Sequence, residues 1–252
     1  MKLAVVGGTG MIGGRLVSQL RADGHDVVVA ARATGVNSYT GEGLEDALAD
    51  AEVLVDVSNS SYTDEGAARE FFYASTLNLL TYGAAAGISH HVALSVVGTD
   101  RLARSEGGYF KAKESQESLL AASGRAFSIV HATQFFEFIR SITASAMRSN
   151  VAHVADVLIQ PMAADDVASA VALTALRAPI GQIVEFAGPE VFELGDLAQR
   201  ELRFRGDERE VVADPLGTYF GAELGRRDLL PGPAATLSTM RFHDWQIQPS
   251  QV

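Results

Sequence analysis

Three glycines, Gly7, Gly10 and Gly13, constrain this chain more than any other feature. They lie in VVGGTGMIGGRL, where an apolar run gives way to an amphipathic one. KLAVVGG reads as a buried strand, and MIGGRLVSQLRADG as a helix ending near the Asp23-Gly24 turn signal. Between them Gly7 permits the tight turn, Gly10 lets backbone approach a pyrophosphate, and Gly13 lets helix pack on strand. The helix N-terminus then offers free N–H groups and its positive dipole end to phosphate. The context on both sides favours a dinucleotide site over a bare turn.

The rest of the chain repeats the alternation. DVVVAAR, EVLVDVS, HVALSVVG, FSIVHATQ and QIVEFAG read as strands. GLEDALAD, Glu65 to about Gly87, Tyr109–Ser123, about Phe135–Arg148 and Asp166–Arg177 read as helices, with Gly124 a C-cap after the third. Apolar strands alternating with helices predict a doubly wound parallel sheet, a Rossmann fold, in one domain of 252 residues. The nucleotide-binding part is expected over about 1–130 and the substrate-binding part over about 131–252. Asp196 to Val252, richer in Gly, Pro and charge, is expected to form a small irregular cap.

Composition removes several classes. The chain has no cysteine, so disulfides, thiolate catalysis and Cys-based zinc sites are excluded. The net charge of −11 argues against a nucleic-acid partner. His90 and His91 are neighbours on a strand and point apart, so no metal site is expected. The longest apolar candidate, VASAVALTAL, is about half a membrane span. The first apolar run is broken by glycines and is no signal peptide, so a cytoplasmic location is expected.

The end of the second strand selects the cofactor. A carboxylate there would hold the ribose 2′-hydroxyl of NAD, but VVVAARATG has none and carries Arg32 instead. A guanidinium suits a 2′-phosphate, which favours NADP(H); stacking on adenine is the alternative role.

GGTGMIG, LSVVGTDRL, GYFKAKESQESLL, SIVHATQFFEF and IQPMAADDVA together resemble, in order, the short-chain dehydrogenase/reductase superfamily in its atypical branch. The nearest likeness is to NmrA-like NAD(P)H-binding proteins. That resemblance implies Ser95, Tyr109 and Lys113 as the catalytic set. Tyr109 would exchange a proton with the substrate oxygen. Lys113 would hold the nicotinamide ribose and lower the tyrosine pKa, and Ser95 would orient the oxygen. The implied cofactor contacts are Gly7, Thr9, Gly10, Met11, Ile12, Gly13, Arg32, Ser58 and Lys113. The asparagine of the family's proton relay has no counterpart: its place falls near Phe72, and Asn78 looks like a helix-packing residue. His131 stands where relatives often have arginine, either as a substrate contact or as a structural histidine.

Aromatic residues cluster beyond the strand ends in REFFYAS, ATQFFEFI and GTYFGAE. Phe135 and Phe138, three apart, fit a buried helical face. Collectively the rings suggest a wide apolar pocket, with Gln134 as a polar contact, for a flat aromatic or polyketide-like substrate. His131, Gln134 and Phe135 are the candidate substrate residues. Asp165 and Asp166 read as helix N-caps, and RSEGG as a mobile flap over the site. Three functions stay open. One is an NADPH-dependent oxidoreductase. Another is a non-catalytic NADP(H)-sensing regulator. The last is a monooxygenase component of bacterial aromatic polyketide antibiotic pathways, which would bring a small partner protein. Oligomeric state stays open as well.

Overall fold

The computed structural model describes residues 1–62, 64–104 and 108–248. In chain order these form β1 (Lys2–Val6), α1 (Met11–Ala22), β2 (Asp26–Ala30), α2 (Leu44–Leu48), β3 (Val53–Asp56) and α3 (Glu65–Ala85). Next come β4 (His90–Val96), α4 (Thr99–Leu102), α5 (Tyr109–Ala122), β5 (Phe127–Ala132) and α6 (Ile139–Ser145). The chain continues with β6 (Met147–Arg148), β7 (Val151–Ala155), β8 (Leu158–Ile159), α7 (Ala164–Ala175) and β9 (Ile183–Ala187). It ends with β10 (Phe192–Glu193), α8 (Leu194–Phe204), β11 (Glu210–Asp214), β12 (Thr236–Leu237) and α9 (Phe242–Gln246).

Seven strands make one sheet in the order β12-β9-β5-β4-β3-β1-β2. Every pairing in it is parallel. Alternation along β1 divides the core. Leu3 and Val5 pack with α1 and α7 on one face, and Ala4 and Val6 with α2 and α3 on the other. Such double cover explains why the strands read as unbroken apolar runs. From β1 the chain steps outward to β2, then returns to β3 on the other side. The crevice for a ligand therefore lies at the C-terminal ends of β1 and β3. Among the described residues no helix is long and apolar enough to cross a membrane.

Several expectations need correction. The helix expected over Phe135–Arg148 is a 3-10 turn at Phe136–Phe138 followed by α6 and β6. The last part of the chain is woven in more than a cap would be: β12 adds the seventh strand, and β11 joins β7 and β6 in a small sheet. Asp165 and Asp166 lie in the first turn of α7 and do not cap it. The Ala164 N–H at that end donates instead to the Glu137 carboxylate, at 3.1 Å to its nearer oxygen, and Asp165 pairs with Arg15 at 3.1 Å. Asn78 does more than pack: its amide donates to the carbonyls of Ser38 and Tyr39, both at 2.9 Å, and so clamps the loop after β2. The RSEGG flap falls mostly outside the described residues.

Candidate active site

Backbone builds one end of the site. Gly7 has φ +79°, and a Cβ on it would stand 2.8 Å from the Ser58 nitrogen. A Cβ on Gly13 would stand 2.1 Å from the Gly7 carbonyl oxygen. The loop thus folds tightly onto α1 only because these positions are glycine. Gly10 is the N-cap of α1 and contributes no side-chain cap, and the first turn holds no acid. The unpaired N–H groups of that turn form a cradle that fits the phosphates of a dinucleotide.

A cleft of about 990 Å³ opens over this loop. Gly7, Thr9, Gly10, Met11, Ile12, Arg32, Ser58, Ser95, Tyr109, Lys113 and Phe135 all line it. Residues spread over much of the sequence are thereby brought together. Arg32, in the short turn after β2, is exposed. Among the described residues its guanidinium has no hydrogen-bond partner. Gly13 lies behind the loop, so its part is packing and not contact.

Side chains build the other end. β4 brings Ser95, α5 brings Tyr109, Lys113, Gln116 and Glu117, and the end of β3 brings Asp56. The Tyr109 hydroxyl donates to Asn59 Oδ1 at 2.8 Å, and Asn59 Nδ2 donates to the Tyr62 oxygen at 2.8 Å. Lys113 Nζ donates to the Leu94 carbonyl at 2.7 Å and to Gln116 Oε1 at 2.5 Å. Gln116 Nε2 donates onward to Asp56 Oδ2 at 2.9 Å, and Ser58 N and Oγ donate to Asp56 Oδ1 at 2.9 and 2.6 Å. A buried ammonium is thus tied through one amide to a buried carboxylate, as a buried charge must be. Tyr109 and Lys113 share a wall of the cleft, but their hydrogen bonds run to different partners. The Phe72 ring lies 4.7 Å below the ammonium and stands edge-on to Tyr109 at 5.6 Å. It touches both members of the pair.

The electrostatics follow from burial. Desolvation lowers Lys113 to about 8, although Asp56 and Glu117 support its charge. Desolvation also pushes Tyr109 well above the usual phenol range, and neighbouring Tyr62 and Tyr219 add to the shift. Ser95 donates to Glu117, and His131 Nε2 meets the same carboxylate oxygen at 2.9 Å. Burial works against the Glu117 charge. The bond and charge of His131, the Ser95 hydroxyl and the Lys113 ammonium outweigh it, so the carboxyl lies below its ordinary range.

The substrate candidates divide. Phe135 and Phe138 line the cleft with Phe71 and Tyr62, which reverses the expectation of a buried pair. The buried ring is Phe136, packed on Phe242 and Trp245. Phe220 stacks on Tyr62 at 5.1 Å, and Tyr219 lies behind it in the core. Tyr73, 54% exposed, points away from this cluster. His131 does not line the cleft: Glu117 holds it behind Ser95, which corrects its reading as a substrate contact. Gln134 is buried and does not line the cleft either, and its amide atoms have no partner among the described residues. Asp56, Gln116, Glu117, Asn59 and Tyr62 were not anticipated. Gln116 and Glu117 follow Lys113 by three and four residues, so helical spacing alone puts them on its side of α5.

A model of the NAD dependent epimerase/dehydratase family matches residues 3–104. No curated protein matches the sequence. Among solved structures, the chain resembles the UDP-glucose 4-epimerase of Thermus thermophilus in complex with NAD, with TM-score 0.69 and 17% identity over 91% of this chain and 92% of that one. It also resembles the Escherichia coli NADPH-dependent quinone oxidoreductase QOR2 complexed with NADPH, with TM-score 0.65 and 21% identity over 85% and 78%. A third likeness is to TunA, an NAD dependent NDP-hexosamine 5,6-dehydratase involved in tunicamycin biosynthesis, with TM-score 0.66 and 17% identity over 84% of each chain. At these identities the likeness is one of fold. Over residues 3–104 the family match bears out the resemblance to the short-chain dehydrogenase/reductase superfamily drawn from the motifs, and the solved structures bear out the fold.

Proposed function

We propose that the chain is an NADPH-dependent oxidoreductase of a flat, apolar, aromatic or polyketide-like carbonyl compound. One observation carries this reading: a single cleft runs from an unpaired arginine, over the glycine cradle, to Ser95, Tyr109 and Lys113 beneath a wall of aromatic rings. Arg32 would meet a 2′-phosphate, and the open N–H groups of α1 would meet the pyrophosphate. When bound, the nicotinamide would supply or accept hydride at the aromatic end. Lys113 would place the ribose next to it, and Ser95 and Tyr109 would meet the substrate oxygen. The rings of Tyr62, Phe71, Phe135 and Phe138 would keep water away and bind by stacking. A wall of that kind suits a quinone better than a sugar nucleotide, which needs many polar partners. The chain is read as one domain, with the nucleotide part about 1–130 and the substrate part about 131–252.

One observation favours a second reading, a sensor that binds NADP(H) without turnover. Burial holds the Tyr109 proton firmly, and Lys113 makes its hydrogen bonds to groups other than the phenol. A tailoring monooxygenase would use the same cleft. NADPH oxidation with 9,10-phenanthrenequinone and naphthoquinones, followed with an oxygen electrode, separates the three. Quinone-dependent NADPH loss under anaerobic conditions supports the reductase. Tight NADPH binding with no turnover supports the sensor. Oxygen uptake coupled to hydroxylation of an anthraquinone supports the monooxygenase.

A further inference from the structure

Three side chains meet behind the wall of the cleft, and no role assigned so far uses them together. Ser95 and His131 are paired in register on neighbouring strands β4 and β5, so their side chains leave the same face of the sheet. Glu117, from α5 above that face, receives both. Its Oε1 accepts the Ser95 hydroxyl and lies 2.9 Å from His131 Nε2.

A serine hydroxyl has one proton. Here it is given to Glu117. Thr99 lies 3.4 Å away, but its own proton goes to the Val96 carbonyl at 2.7 Å, so it supplies none to Ser95. Toward the cleft Ser95 therefore presents lone pairs, with a carboxylate ready behind it. The Tyr109 proton is committed to Asn59. Of the hydroxyls at this end, Ser95 is the one already hydrogen-bonded to a carboxylate that sits against a histidine, a pair that can relay a proton.

We propose that Ser95, backed by Glu117 and His131, is the proton-transfer group of this cleft. The inference rests on the oxidoreductase reading and deepens it. Ser95 is the catalytic residue, and Glu117 and His131 are positioning residues that act through it. In the oxidative direction the substrate is a secondary alcohol. Its C–H bond breaks, and the electron pair leaves as hydride to the oxidised nicotinamide. Its O–H bond breaks as well: that proton goes to Ser95 Oγ while the Ser95 proton passes to Glu117. A C=O bond forms, the carbon is oxidised by two electrons and the nicotinamide is reduced. One proton is left on the Glu117–His131 pair and is released to solvent. Reduction retraces the path and needs that pair loaded with its proton. The charged groups facing Glu117 are His131 from β5 and Lys113 on its own helix; Asp56, at the end of β3, lies beyond Lys113 and Gln116.

Glu117→Gln, Ser95→Ala, Ser95→Thr and Tyr109→Phe test this. In the cofactor-free protein, NMR titration should find Glu117 higher in Ser95→Ala, which removes one of the donors that lower it. With NADPH and 9,10-phenanthrenequinone, Glu117→Gln and Ser95→Ala should each lower kcat about 100-fold. Their NADPH Kd should stay within about twofold of wild type, and Ser95→Thr, which keeps the hydroxyl, should recover most of the rate. Reduction consumes a proton, so the wild-type rate should fall as pH rises, and Glu117→Gln should flatten that limb. Tyr109→Phe, which removes one contact to the substrate oxygen but leaves the Ser95–Glu117 pair in place, should lower kcat less than Ser95→Ala does; a larger loss than in Ser95→Ala overturns Ser95 as the proton-transfer group. A Glu117→Gln protein with wild-type kcat and pH profile overturns the proton path and leaves the oxidoreductase reading intact. A Glu117 titration that ignores Ser95→Ala also overturns it. Wild-type protein that binds NADPH and reduces none of the quinones overturns the oxidoreductase reading, and the path falls with it.

Discussion

The two ends of the cleft are made of different materials. At the dinucleotide end the working atoms are backbone: an open helix N-terminus, and glycines whose missing Cβ atoms let the chain fold onto itself. At the reaction end the working atoms are side chains from β3, β4, β5 and α5, each held by a partner far away in sequence. Gln116 reaches Asp56 across 60 residues, and Tyr109 reaches Asn59 across 50. The backbone end tolerates almost no change in volume and little depends on pH there. At the side-chain end, conservative changes should fold while charge and proton balance decide the outcome.

The largest expected effect is at the backbone end. In Gly13→Ala the new Cβ would stand 2.1 Å from the Gly7 carbonyl, with backbone on both sides and no flexible side chain to move. Such overpacking should cost about 3 kcal/mol or more and abolish dinucleotide binding. Gly14, the next residue in α1, has nothing within 4 Å of an added Cβ. Gly14→Ala should therefore stabilise the protein by about 0.5–1 kcal/mol through helix propensity. Urea unfolding and NADPH titration of the two variants check the pair. Equal stabilities would mean that tight packing does not distinguish this end.

Next in size is a pH effect at the side-chain end. Lys113 is lowered from 10.5 to about 8 by burial. Between those values the unfolded chain binds the proton that the folded chain has released, so stability rises with pH across that window. Below pH 8 the folded protein carries the cost of the buried ammonium, about 3 kcal/mol for a shift of this size. Above pH 10 the raised phenols of Tyr62, Tyr109 and Tyr219 oppose the trend, because the unfolded tyrosines lose protons first. Urea midpoints of the wild type should rise from pH 8 to 10, and those of Lys113→Met should stay flat. A wild-type slope that survives in Lys113→Met would assign it to another group.

The same difference explains what could be seen in the sequence. The glycine loop is local: strand, turn and helix are consecutive, so spacing and residue type specify its geometry. Tyr109 and Lys113 were visible as a pair because helical spacing is local too. Their partners were not, since nothing in the order of residues says that Asp56 faces Gln116 or that Glu117 lies over His131. The aromatic wall was visible as composition but misassigned as position. Helical phasing made Phe135 and Phe138 a buried pair, but the segment is a 3-10 turn, which buries Phe136 and opens its neighbours to the cleft. Tyr73 falls on the outer side of α3 and Phe72 on the inner, a distinction that depends on which face of α3 meets α5.

Arg32 gives the smallest expected effect, and in the proposed function it is the side chain that chooses the cofactor. Exposed and without a partner among the described residues, it stabilises nothing in the free protein, so Arg32→Ala should leave the urea midpoint unchanged. A charge-assisted contact to a 2′-phosphate at an exposed site is worth about 1.5–2 kcal/mol. NADPH binding should then weaken about 10- to 30-fold, with NADH binding nearly unaltered. The loss should shrink as salt is raised, because an exposed ion pair is screened. An equal loss for both cofactors, insensitive to salt, would mean that the guanidinium stacks on adenine, and any preference for NADPH would have to come from elsewhere in the cleft. A selective, salt-sensitive loss would make Arg32 the point where the backbone end behaves like the other, with specificity resting on a charge that the fold holds out to solvent.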